Sequence, residues 1–265
     1  MSDMKLLLKI RYIGTNFCGF QCQKNGRSVQ EILTEAAAKV FGTPCNVTGC
    51  SRTDAGVHAL GYVCAVSPVQ GQADWCTVPV GRVHRAFAPH LPEDISVIAA
   101  AAAPDPFHPR YDAVEKEYVY RIWDGPYEDP FEKKRCCRSI RPLADAQIAQ
   151  MNAAAAAFVG THDFRSFAAG DLSEKNTVRT VTRAAVAREG AHTVTFTVAG
   201  NGFLYNMVRI MTGTLLETAS GKIDPAAIPA ILAAGDRSRA GFTAPPDGLY
   251  LKTVKYAAEP RWECE

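Results

Sequence analysis

The sequence has no run of the roughly 18 apolar residues that a membrane span needs, so no transmembrane helix is expected. It has no C-x-x-C pair, and its nine cysteines are an odd number, scattered along the chain. Cys18 and Cys22 have a spacing that a metal could use, but no second Cys/His pair of matching spacing follows. The pattern predicts reduced thiols in a cytosolic protein and no zinc site. Walker and Rossmann glycine motifs are absent, which argues against a bound nucleotide cofactor. Low-complexity tracts are absent too, and only 21% of residues are charged, which excludes global disorder. Net charge is scarce at +2. That total says little about partners, because a nucleic-acid protein needs a basic patch rather than a basic sum. Lys133, Lys134, Arg135, Arg138 and Arg141 could form such a patch, although the run taken alone reads first as a solvated loop. The opening MSDMKLLLKIRYIG is too charged, and too short in its apolar run, for a signal peptide.

What is present is enough apolar residue, 47% of 265, to bury one large core or two small ones. Residues 6–14 read as a strand. Ser28 with Glu31 three positions on reads as a capping box that opens a helix, with Val29, Ile32, Leu33, Ala36, Val40 and Phe41 as its apolar stripe. Gly42 and Pro44 end it. Strands near 45–50 and 57–67, a helix near 75–87 and a strand near 95–101 complete a β-α-β-β-α-β order. Residues 116–125, a helix at about 145–159, a hairpin of 179–189 and 192–200 around Gly190, helices at 206–220 and after Asp224, and a strand at 248–254 repeat it. The fold class is α+β: two tandem split β-α-β, ferredoxin-like halves, expected to form a continuous mixed or antiparallel sheet with a central cleft. Prolines cluster at 104–110, which puts the boundary between a half at 1–105 and a half at 106–265. Junctions of this kind are common ligand sites.

Three stretches carry residues suited to chemistry. In GCSRTDAGVHALGYV (49–63), Asp54 stands among Arg52, Gly56 and His58, between strand-like flanks. Composition alone reads this first as a tight turn, since Ser, Asp and Gly are turn formers; an active-site carboxylate is the second reading. In NGFLYNMVRIMTG (201–213), Asn206, Arg209 and Gly213 lie on one helix face beside the apolar stripe of Met207, Ile210, Met211 and Thr214. An arginine on a half-buried face needs an anion, with Asp54 one candidate; the alternative is a side chain snorkelling to solvent. Tyr118 and Tyr120 alternate on one strand with Lys116 just before them. Such a row can stack bases, or it can be core.

Taken together, YIGTNFCGFQCQ (12–23), SVQEIL (28–33), CSRTDAGVHAL (50–60), LPEDI (91–95), FHPRYDAVEKEYVYRI (107–122), HDFRSF (162–167), NGFLYNMVRIMTG (201–213) and APPDGLYL (244–251) make the chain resemble the TruA family of tRNA pseudouridine synthases along nearly its whole length. RTDAGVHA with FLYNMVR is the specific combination. Phe20 stands where the family usually has Trp, and Ala86 where Asn is common; neither lies in the catalytic motif.

The resemblance implies a cytoplasmic RNA isomerase that cuts the N1–C1′ bond of uridine, turns the base and rejoins it through C5. That chemistry is redox-neutral and keeps every atom of the base but exchanged protons, so it implies no cofactor and no metal. Carried over residue by residue, Asp54 is the nucleophile or the ion-pair partner of the departing sugar, with attack at C1′ or at C6 left open. Arg209 holds Asp54 ionised, and Tyr118 stacks on the target uracil and assists loss of the C5 proton. Arg52 engages the RNA backbone or fills the place of an everted base. The implied partners are tRNA, through its anticodon stem-loop at uridines 38, 39 and 40 and its elbow, and a second copy of the chain in a homodimer. A non-catalytic RNA chaperone would need none of Asp54, Tyr118 and Arg209. An Asp-nucleophile phosphotransferase would want further acids for Mg²⁺ beside Asp54, and none flank it.

Overall fold

The computed structural model describes residues 4–24, 26–70, 75–173 and 176–263. The chain packs as two compact units, Met1–Val114 with Leu251–Glu265, and Glu115–Tyr250. In the first, β1 (Met4–Tyr12) leads through a loop to α1 (Val29–Phe41). The Ser28 hydroxyl accepts the Glu31 N–H at 3.1 Å and the Glu31 carboxylate accepts the Ser28 N–H at 3.4 Å. This capping box satisfies donors that the first helical turn leaves open, each such cap being worth about 1 kcal/mol. Gly42 stops the helix at φ 67°. Then come β2 (Cys45–Gly49), β3 (His58–Pro68), α2 (Val83–Phe87) and β4 (Ile95–Pro104). The helix expected near 75–87 is only the five residues of α2, between single 3₁₀ turns at Val80–Arg82 and Ala88–His90. Pro79 is extended before it and Pro89 cannot continue it, because a proline ring clashes with the carbonyl four residues back.

β1 is the centre of this unit. Leu8 lies opposite Cys64 of β3 on one side and Ala100 of β4 on the other, both antiparallel. Leu6, Leu7 and Leu8 are all buried, which is why the strand reads as a continuous apolar run rather than an alternating one. Leu7, Ala65, Ala101 and Ala103 form one buried cluster, and their small partners leave room for Phe107 and Trp262 to pack on it.

The second unit runs β5 (Ala113–Trp123), β6 (Cys137–Arg138), α3 (Asp145–Ala156), β7 (Gly160–Asp163), β8 (Val178–Arg188), β9 (Thr193–Gly200), α4 (Met207–Ala219) and α5 (Ile228–Ala234). Its strands run in the order β5-β9-β8-β7, each pair antiparallel, with β6 parallel to the end of β5. α3 lies on β8, where the Asn152 amide oxygen accepts the Val186 N–H at 2.9 Å. The last strand, β10 (Leu249–Tyr256), runs beside β3. The compact units therefore divide at Val114 rather than in the proline cluster, and 251–265 lie with the first. Two contacts hold the proline-rich stretch there: Phe107 packs on the Leu7 cluster, and the Tyr256 hydroxyl donates to the Pro109 carbonyl at 2.9 Å. Both units are α+β, and no helix among the described residues is long and apolar enough to cross a membrane.

One buried charge pair braces the second unit. Asp124, 2% exposed, accepts from both Nη atoms of Arg188 at 3.2 and 2.9 Å and from the Leu143 N–H at 3.0 Å. Burial pushes the carboxyl up, but the Arg188 and Leu143 donors outweigh it and hold it below the usual carboxylate range. Asp124→Asn should cost about 2–3 kcal/mol at neutral pH, below the full value for a buried pair because Arg188 is partly in solvent. A carboxyl lowered on folding stabilises above its unfolded pKa of roughly 4 and loses that contribution as pH falls through the folded value. Urea unfolding should therefore show the deficit of the variant shrinking below about pH 4; a deficit constant down to pH 2 would exclude this role.

Candidate active site

The segment between β2 and β3 is built to hold Asp54 still. Thr53, just before it, is buried, and its hydroxyl pairs with the Tyr12 hydroxyl at 2.8 Å. The Thr53 carbonyl accepts the Phe20 N–H at 3.2 Å, the Asp54 carbonyl accepts the Val57 N–H at 3.2 Å, and the Phe17 carbonyl accepts the Gly56 N–H at 3.4 Å. On the other flank the Tyr62 hydroxyl accepts the Ser51 N–H at 3.2 Å and donates to the Ser51 carbonyl. Burial pushes the Tyr62 phenol well up, so it stays a neutral strut. The fully buried His58 accepts the Gly14 N–H on Nδ1 at 2.9 Å, so that nitrogen carries no proton. Gly14 must be glycine: a Cβ there would lie 1.9 Å from the Val57 carbonyl oxygen. Inside this frame Asp54 is half-buried while Arg52 is exposed. A single carboxylate on an immobile, partly desolvated turn can act as a nucleophile or stabilise a neighbouring cation.

In the second unit, β5 and the start of α4 carry the other candidates. Tyr118 is 6% exposed and meets Phe203 edge-on, with ring centres 5.2 Å apart. Tyr120 is core: fully buried, its hydroxyl donates to the Pro245 carbonyl at 2.7 Å. Arg209 is half-buried and fixed by short bonds. Its Nε donates to the Ala244 carbonyl at 2.7 Å and its Nη1 to the Asn206 amide oxygen at 2.8 Å. Asn206 caps α4 from the left-handed region, φ 60°, a conformation asparagine tolerates better than most residues. Ala244 can reach Arg209 because residues 240–244 lie directly on α4. Thr214 accepts the Gly241 N–H at 2.9 Å, and a Cβ on Gly213 would stand 1.8 Å from the Phe242 carbonyl oxygen.

A family model described as tRNA pseudouridine synthase matches residues 9–112 and 154–257. The chain is 40% identical over 255 residues to the tRNA pseudouridine synthase A of Ruminiclostridium cellulolyticum, covering 95% of this chain and 99% of that one. It is 40% identical over 256 residues to the tRNA pseudouridine synthase A of Geotalea daltonii, covering 97% and 100%. The chain belongs to the TruA family of tRNA pseudouridine synthases. That makes it a member of an isomerase family. Among solved structures, a Cbf5-Nop10-Gar1 complex matches over 92% of this chain and 47% of that one, with 11% identity and a TM-score of 0.33, too slight a likeness to carry an argument.

The RTDAGVHA and FLYNMVR stretches thus lie within the matched residues, and hydrogen bonds brace the segments that carry them. Sequence spacing put Asn206 and Arg209 on one helix face, and a hydrogen bond joins them. It missed Phe203 as the partner of Tyr118, Ala244 as an anchor of Arg209, and the Tyr12–Thr53 and Tyr62–Ser51 clamps on the Asp54 turn. Cys18 and Cys22 serve loop closure: the Cys18 thiol donates to the Gly26 carbonyl at 2.9 Å, and the Ser28 hydroxyl donates to Cys22 Sγ at 3.4 Å.

Proposed function

We propose that this protein isomerises uridine to pseudouridine in the anticodon stem-loop of tRNA, at positions 38, 39 and 40, working in the cytoplasm as a homodimer with Asp54 as the acting carboxylate. The observation that carries the reading is the turn that holds Asp54, clamped from both flanks and lying within the residues that the family model matches. The N1–C1′ bond breaks, the freed uracil turns, and C5 bonds to C1′; C5 then loses its proton and N1 gains one. The sugar carbon becomes electron-poor as the base leaves, which is where a fixed carboxylate acts, either by bonding to C1′ or by pairing with the cation. Attack at base C6 uses the same group.

Arg209 fits the role of holding Asp54 ionised, because two short bonds leave its guanidinium little freedom to relax. Tyr118, steadied by Phe203, offers a ring to the turned uracil and a hydroxyl to its C5 proton. The reaction needs neither an electron carrier nor a divalent cation. Release of tritium from C5-labelled uridine in tRNA transcripts tests the function directly, and no release above background would end it.

A uridine inside a stem is reached only by flipping, which costs a few kcal/mol. Arg52, exposed two residues from Asp54, is suited to stabilise the opened stem through a planar, bidentate fork. Arg52→Lys and Arg52→Ala should both lose single-turnover rate on a paired stem, by roughly 10- to 100-fold. The loss should shrink when the target uridine is mispaired. A lysine that restores the rate would make Arg52 a point charge only, and equal losses on paired and mispaired stems would remove the flipping role.

A further inference from the structure

Arg179, near the start of β8, is a partly buried guanidinium with no ion pair among the described residues. Its Nη1 donates to the carbonyls of Asn176 and Val178 at 3.0 and 2.6 Å, whereas Nε and Nη2 have no acceptor among those residues. Burial pulls it below the usual arginine range, and no carboxylate among the described residues offsets the cost. The side chain lies against Gly202, with Nε and Cδ at van der Waals distance from where a Cβ would stand. That neighbourhood is tied down: the Asn201 amide oxygen accepts the Thr180 N–H at 3.0 Å, and the Thr180 carbonyl accepts the Asn201 N–H at 3.0 Å. Gly202 is followed at once by Phe203, the ring that steadies Tyr118. A half-buried cation whose Nε and Nη2 meet no acceptor among the described residues is suited to an anion that arrives from outside.

We infer that Arg179 is a phosphate-binding residue that grips the backbone of the RNA strand bearing the target uridine, one chain step from the Tyr118–Phe203 pair. This rests on the tRNA reading given above. Two carbonyls hold one arm of the guanidinium, and the free edge, Nε with Nη2, has the geometry that binds two phosphate oxygens side by side. Such a contact fixes the register of the strand and carries no sequence information.

The test uses the full-length protein and a tRNA transcript. Arg179→Ala should bind roughly tenfold more weakly at low salt. The slope of log affinity against log salt should fall by about 0.7 to 0.9, one phosphate's worth of counterion release. Arg179→Lys, which keeps the charge, should keep the slope. Stem-loops carrying single methylphosphonates then locate the contact: one neutralised phosphate should weaken wild type and have no further effect on Arg179→Ala. A purely structural arginine predicts lowered thermal stability in both variants, an unchanged slope, and no phosphate at which the two losses overlap; that result would overturn the inference. Wild-type tritium release is measured in parallel. Wild type that modifies tRNA with Arg179→Ala indistinguishable in binding sinks only this site, whereas wild type that modifies nothing sinks the functional reading.

Discussion

Asp54→Asn should fold, bind tRNA with near wild-type affinity and form no pseudouridine. Asn is nearly the same size as Asp and is as good a turn former. The bonds that shape the turn come from Thr53, Ser51, Val57 and Gly56, through their main-chain groups and the Thr53 hydroxyl, and none of these changes. The substitution removes the negative charge and turns one carboxylate oxygen into an amide donor, and the charge is what an electron-poor sugar carbon requires. Losing a covalent nucleophile costs roughly 10⁴-fold or more in turnover where this has been dissected. Single-turnover tritium release with saturating enzyme reads the chemical step alone. A rate within tenfold of wild type would show that another group acts on the sugar.

Gly213→Ala should damage catalysis without touching a reacting group. Its new methyl would stand 1.8 Å from the Phe242 carbonyl oxygen and 2.8 Å from its carbon, so main chain must move. Moving residues 240–244 off α4 takes the Ala244 carbonyl away from Arg209 Nε. Overpacking of this kind costs about 1–3 kcal/mol of stability, and a guanidinium freed by an ångström can cost on the order of 10²-fold in rate. Gly42→Ala is the matched control. It meets nothing within 4 Å and is penalised only by its left-handed φ of 67°, so it should lose about 1 kcal/mol of stability and keep full turnover. Equal kcat in the two variants would show that the 240–244 contact does not position Arg209.

Much of this fold is written in local signals. The Ser28–Glu31 box starts α1 where spacing predicts it, Gly190 turns the β8–β9 hairpin at φ 75°, and Gly235 ends α5 at φ 62°. What local pattern could not supply is partnership. β6 and β7, two and four residues long, are too short to show an alternation. β10 alternates like any strand, and nothing within it says that its neighbour is β3. The site divides in the same way. RTDAG and NMVR are visible because their chemistry is in adjacent letters. The bond from Tyr12 to Thr53 spans 41 residues, and that from Arg209 to Ala244 spans 35, so both exist only once the chain has packed.

The return of 251–265 to the first unit has a bearing on synthesis. The ribosome makes the Asp54 unit first, yet it must wait for the other unit to emerge before β3 acquires β10 and the Leu7 cluster acquires Trp262. Closing so long a loop is slow, because its entropy is lost before the contacts that offset it form. Until then a nascent chain carries the Asp54 turn on an unfinished sheet with a bare edge, a state in which an emerging segment is open to chaperones and to mispairing. The unit translated first is thus the one finished last: the clamps on the Asp54 turn all lie within residues 12–62, but the sheet beneath them gains its last strand only when nearly all of the sequence has left the ribosome.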